Sequence, residues 1–285
     1  MDHHRGVATG PPGELAERTL AAWDGLLDLA ATVPPGAVGR LAELGSWPER
    51  PVLGRLMAQA RGPAPVTAEA PRADHSDATR PQVLAALGEA RLRVAEALAE
   101  IEDEPRLGLL ELDSALGPLP LLTQIHASAH EIALAALDCF PDRAAARSGL
   151  PPAVTDAGIA ALVDVVGALA YRQGVRADAG VWGEGTGGWM FRADAEGWRT
   201  EPGSGAATGV DIPGIEGAAV TVLGVPTGRA ALPSLLAKGE IRLHRIGGLM
   251  ALAPLVEQVP GLPGGALLRR AVGVVGLLGR LPGLR

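Results

Sequence analysis

The sequence predicts a helical bundle over residues 1–172 joined to a small α+β unit over residues 173–262, with an apolar tail over 263–285. The second unit reads as an antiparallel sheet with helices on one face. Three observations predict this. Long segments of the first half carry apolar residues at helical spacing. At Gly174 the pattern changes to short alternating runs broken by glycine. Three of the five tryptophans, Trp182, Trp189 and Trp198, then fall close together in the second half.

The elements come in order along the chain. Residues 13–33 place Leu15, Leu20, Trp23, Leu26, Leu27 and Ala30 at helical intervals, and Pro34 and Pro35 stop that helix. Ser46 is an N-cap candidate for a second helix running from Pro48 to Arg61. Residues 62–80 have no apolar period and read as a long loop. Residues 81–103 form the clearest helix, with a favourable Glu89–Arg93 pair on its surface. A fourth helix spans 119–140 and ends at Pro141; a fifth spans 155–172, with Thr155 as its cap. These lengths and connections suit an antiparallel bundle. In the second unit, GEGTGG (183–188) reads as a hairpin turn, 217–226 as a strand, 227–238 as a helix, 240–247 as a strand and 249–259 as a helix. The tail reads as a terminal helix docked on its own domain, or as an amphipathic helix for a membrane or partner surface.

Composition narrows the function. The chain has 285 residues, 47% of them hydrophobic, enough for one or two cores. A net charge of −7 argues against nucleic-acid binding, which needs clustered Lys and Arg. Lys238 is the sole lysine, and 39 Gly and 24 Pro fit an actinobacterial-type, GC-rich composition. With Cys139 alone, no intramolecular disulfide can form. The opening MDHHRGVATGPPG lacks the order of a signal peptide. No run of about 18 apolar residues is present, so no transmembrane helix is expected. The expectation is a cytoplasmic protein, without stable membrane insertion, whose partner is a small-molecule ligand.

The chemistry-bearing residues concentrate in the fourth helix. His126 and His130 stand at i,i+4, on one face, where they could bind one metal. Zinc wants three or four ligands, and the other helices offer no histidine, so a structural role for the pair is the competing reading. A polar stripe holds Gln124, Ser128, Glu131, Ala135 and Asp138, opposite Leu122, Ile125, Ala129, Ile132 and Ala136. The stripe is either a solvated face or part of a pocket. If Glu131 faces inward it needs a partner, and Arg55 on the second helix is the natural one. Cys139 reads as a buried, inert thiol or, with a base beside it, a nucleophile. Of the other histidines, His3, His4 and His75 are terminal or in the loop, and His244 reads as solvent-facing on a strand.

Three stretches carry a family resemblance: WPERPVLGRLMAQ (47–59), HEIALAALDC (130–139), and the region 187–257 with GGWMFRADAEGWRT, AAVTVLG and LPSLLAKGEIRLHRIGGLMALAPL. The chain resembles the mycothiol-dependent maleylpyruvate isomerase family. That resemblance implies a DinB-like four-helix bundle followed by a sterol-carrier-like domain. It implies thiol-dependent isomerase or transferase chemistry on a small organic acid or secondary metabolite, with mycothiol as the thiol. The family's three metal-ligand positions correspond here to Arg55, Glu131 and Ala135, so two of the ligands are replaced and the resemblance implies a metal-depleted pocket rather than a zinc site. Acid–base and anion-binding roles then fall to Glu131, His130 and Arg55, with His126 as the remaining candidate. Two other functions compete: a non-catalytic carrier of an apolar ligand in the sterol-carrier-like domain, and a cyclase of secondary metabolism.

Overall fold

Helix α1 (Pro12–Thr32) begins on Pro12, whose missing N–H costs nothing in the first turn, and ends before Pro34. Leu15, Thr19, Ala22, Trp23, Leu26 and Leu29 make its buried face. The structure, a computed structural model, describes residues 4–34, 37, 41, 44, 78–114, 116–184, 187–203, 211–226, 232–252 and 255. The expected second helix (48–61) with Arg55, most of the loop 62–80, and the tail 263–285 lie outside the described residues.

Helix α2 (Arg80–Asp103) starts from a capping box in which Thr79 and Gln82 satisfy each other's backbone donors. Its apolar stripe, from Val83 through Leu87, Val94 and Leu98 to Ile101, packs on α1. Arg91 grips Asp24 of α1 through two hydrogen bonds of 2.8 and 3.1 Å, and the Glu89–Arg93 pair forms as expected. A short helix α3 (Pro105–Gly108) and a hairpin of β2 (Glu111–Leu112) and β3 (Leu119–Pro120) lead into α4 (Leu121–Leu137). Helix α5 (Arg143–Gly149) is capped by Asp142. Helix α6 (Pro152–Arg172) starts three residues before the expected Thr155, because prolines at 151 and 152 suit the entry to a helix. Thr155 lies inside it, its hydroxyl returned to the Pro152 carbonyl.

Helix α6 organises the molecule. It packs on α4 and α1 with one side and on the sheet with the other. Two glycines permit the close approach. A Cβ on Gly158 would stand 2.6 Å from that of Ala133 on α4, and one on Gly167 would stand 2.9 Å from the Trp198 ring. By length and composition α6 is apolar enough to cross a membrane, and 72% of its apolar stretch is buried inside the fold. Asp164 interrupts its apolar run, which is why no unbroken stretch stood out. Its apolarity is explained by being covered on two sides by protein.

The sheet is ordered β1 (His4–Arg5), β6 (Gly197–Gly203), β5 (Gly187–Asp194), β4 (Ala177–Glu184), β7 (Gly214–Ala218), β8 (Ile241–His244). Strands β4 (Ala177–Glu184), β5 (Gly187–Asp194) and β6 (Gly197–Gly203) form an antiparallel meander, and the glycine-rich segment is the β4–β5 hairpin turn. The sheet is mixed rather than antiparallel throughout. Strand β7 (Gly214–Ala218) runs parallel to β4, and the N-terminal β1 (His4–Arg5) runs parallel to β6. The expected strand 217–226 is a second difference. The backbone leaves β7 at Ala218 and makes a helix, α7 (Ala219–Gly224), buried against α6 and α4. A short run that is apolar almost throughout carries no period to separate strand from helix. Helix α8 (Leu232–Ala237), strand β8 (Ile241–His244), helix α9 (Ile246–Leu249) and a 3-10 turn (Met250–Leu252) follow; most of the expected helix 249–259 lies outside the described residues.

Alternate residues of the sheet point to α6: Ala179, Trp189, Phe191, Ala193 and Trp198 join one apolar cluster with the side chains of α1, α2, α4 and α6. On the opposite face the Trp182 ring lies across Gly180, Gly188, Gly203 and Gly214, from four neighbouring strands, and a Cβ at any of them would collide with or crowd it.

Candidate functional site

Helix α4 carries the residues singled out in the sequence, and the fold divides them. The N-terminal half of the polar stripe is covered. The Gln124 amide donates to the carbonyls of Leu112 and Leu119 at 2.6 and 2.9 Å, so the β2–β3 hairpin caps it. Ser128 is buried and donates to the Ile125 carbonyl at 2.6 Å. Further along the stripe Glu131 is exposed, with Asp138 half-buried two turns along the same side. Arg55, the expected partner of Glu131, lies outside the described residues.

The two histidines occupy another face of α4. His126 is fully buried, and its Nδ1 lies 3.1 Å from the Thr19 hydroxyl of α1. Burial, aided by the nearby Arg18 charge, lowers its pKa to about 3, so it is neutral at ordinary pH. His130 is half-buried, with Nδ1 3.3 Å from the Gly158 carbonyl of α6. Each imidazole is thus engaged with a different neighbouring helix. Among the described residues no group of three His, Cys, Asp or Glu side chains is placed to hold a metal ion. Cys139 is buried and its thiol reaches the Ala135 carbonyl at 3.4 Å.

Two polar constellations were not singled out in the sequence. The first is Asp164, a fully buried carboxylate in the middle of α6. Its Oδ1 accepts from the Val7 N–H at 3.0 Å, the Trp198 indole N–H at 2.9 Å and the Thr200 hydroxyl at 2.6 Å. Burial raises its pKa, and these donors, with the Thr123 hydroxyl, pull it back down. A signal was present: Asp164 is the one carboxylate within the apolar run IAALVDVVGALA. The second surrounds Arg18 of α1. Its guanidinium stands 4.3 Å from the centre of the Trp189 ring and 3.7 Å from Asp156 of α6, and Asp156 accepts the Trp189 N–H at 2.9 Å. A shallow groove lined by Glu14, Glu17, Arg18, Ala21, Ala153 and Asp156 opens there. No sequence pattern joins α1, α6 and β5, so this assembly was not legible in advance.

His244 differs from its expected solvent-facing position. It is half-buried, and its Nε2 lies 2.9 Å from Glu216 on the adjacent strand.

No family model matches the chain, and no curated protein matches it. A solved structure that it resembles is a crystal structure of a mutant of the mycothiol-dependent maleylpyruvate isomerase, at 14% sequence identity and a TM-score of 0.48, over 80% of this chain and 93% of that one.

Proposed function

We propose that the protein is a thiol-dependent isomerase- or transferase-like enzyme acting on a small organic acid or secondary metabolite, at a metal-free polar site on the accessible side of α4. Glu131 is the acid–base group, His130 stands next to it, and Arg55 binds the substrate's anionic group. Mycothiol, when bound, supplies the nucleophilic thiol. The sequence stretches 47–59 and 130–139 motivate the reading. The structural observation that carries it is the exposure of Glu131 on α4, with the His130 ring half-buried at the adjacent position. An acid–base group must be reachable by substrate, and Glu131 is, whereas His126 is enclosed and, at a pKa of about 3, is too weak a base near neutrality. His126 therefore acts as a core anchor that fixes α4 on α1.

The test is Glu131→Gln, assayed for turnover with and without mycothiol. The expected outcome is a loss of roughly 10²–10⁴-fold, the usual contribution of a positioned acid–base group, with full retention of the fold by circular dichroism. Unchanged turnover removes Glu131 from the mechanism. Native mass spectrometry separates this reading from the carrier alternative, since a co-purifying apolar ligand without thiol-dependent turnover favours the carrier.

A further inference from the structure

Residues 4–9 form a strap over the place where α4, α6 and β6 meet. Its hold is short. His4 and Arg5 pair in parallel with Gly197 and Trp198, and the chain then turns through Gly6, at φ +57°, into a single 3-10 turn (Gly6–Thr9). Gly6 sits so close to the Asp164 carboxylate and the Trp198 indole that a Cβ would come within 1.9 and 2.0 Å of them.

Two features of the strap resemble a ligand more than a tether. Its Val7 N–H is delivered to a carboxylate that is fully enclosed and that, among the described residues, no neighbouring cation stabilises. Its Arg5 guanidinium, paired with Glu111 of the β2–β3 hairpin at 3.2 Å, also stands 5.0 Å from the Tyr171 ring and 5.8 Å from the Trp198 ring, an aromatic pair of the kind that accepts cations. The strap therefore presents a cation at the mouth and an N–H donor at the base. Two further oxygens lie at the base. Among the described residues, Asp164 Oδ2 and the buried Thr123 Oγ1 make no hydrogen bond of normal geometry, although the Thr123 hydroxyl is near enough to stabilise the carboxylate. A buried carboxylate is complemented more strongly by a charged donor than by neutral ones, and Val7, Trp198 and Thr200 all supply neutral ones.

We propose that the strap is an intramolecular occupant of a binding site for a small cationic compound bearing N–H donors, an ammonium or guanidinium ligand, anchored on Asp164 and walled by Tyr171 and Trp198. The ligand and the strap compete for the same carboxylate and the same aromatic mouth, so the strap sets the apparent affinity of the site. The site is separate from Glu131 and stands or falls independently of the enzymatic reading.

The experiment uses agmatine, which carries both a guanidinium and an ammonium, with the full-length protein. Arg5→Ala loosens the strap without touching Asp164. Calorimetric titration is expected to show agmatine binding at least roughly tenfold more tightly to Arg5→Ala than to the parent protein, as expected when a competing state is depopulated. Adding Asp164→Asn to Arg5→Ala is expected to abolish that binding. In the parent protein, saturating agmatine is expected to accelerate hydrogen exchange of the Val7 amide, a measurement that requires no variant to fold. The proposal is overturned if Arg5→Ala gains no affinity, if the Asp164→Asn background binds equally well, or if Val7 exchange does not respond to agmatine.

Discussion

Acidification is expected to destabilise this protein through His126 in a way that can be isolated. The imidazole is fully buried against Thr19, and its pKa falls from 6.5 to about 3 on folding. The unfolded chain takes up a proton at this residue below pH 6.5, whereas the native state refuses it until about pH 3, so the unfolded state binds more protons throughout that window. Stability contributed by the neutral ring is thus present above the unfolded value and is lost as pH falls, at about 1.4 kcal/mol per pH unit. Integrating the two titrations from about pH 7 to about pH 5 gives a loss of about 2 kcal/mol from this residue alone. His126→Asn keeps a partner for the Thr19 hydroxyl but does not titrate, and its smaller side chain lowers stability by an amount independent of pH. Urea unfolding of both proteins at the two pH values supplies the check. The advantage of the parent protein over His126→Asn should shrink by about 2 kcal/mol on acidification. A difference that stays constant between the two pH values would show that the ring titrates normally and is hydrated, and would refute the burial argument.

Asp164→Ala leaves the buried Val7 and Trp198 N–H donors without an acceptor, and at about 1–3 kcal/mol for each orphaned donor the loss is about 2–6 kcal/mol by denaturant midpoint. Because burial raises the Asp164 pKa, its contribution is complete below the unfolded carboxylate range and declines as pH rises through the raised native value; Asp164→Asn should gain on the parent protein over that rise. Gly158→Ala forces a methyl group to 2.6 Å from the Ala133 Cβ and should lower stability by about 1–3 kcal/mol as α4 and α6 are pushed apart. Arg91→Ala removes a two-pronged but partly exposed contact with Asp24 and should change the midpoint by only about 0.2–1 kcal/mol.

The long helices were legible because each carries a stripe with a 3.6-residue period and a proline or capping signal at its ends, as Thr79 and Gln82 show for α2. The β4–β5 hairpin was legible for the same kind of reason, alternation interrupted by glycine. Helix α7 was not, since AVTVLG is apolar at every position but one and its surroundings decide its conformation. The parallel pairing of β1 with β6 was equally hidden, because two residues at one end of the chain contain no record of a partner almost two hundred positions away. Within the candidate site, spacing placed His126 and His130 together on one side of α4 but could not say that the ring of His126 would be enclosed. The stripe through Gln124, Ser128 and Glu131 is a true stripe. What encloses Gln124 at one end of it is a hairpin whose position is a tertiary fact.

Helix α6 carries a consequence for any attempt to take the protein apart. Its flanks are spoken for on both sides, by α1 and α4 on one and by Trp189, Phe191 and Trp198 on the other. A fragment ending after Arg172 strips the ring-bearing wall from the helix, and one beginning at Gln173 leaves those rings facing water. Neither piece retains a closed interior, so heating should produce a single transition reported alike by indole fluorescence from the strands and by far-ultraviolet dichroism from the helices.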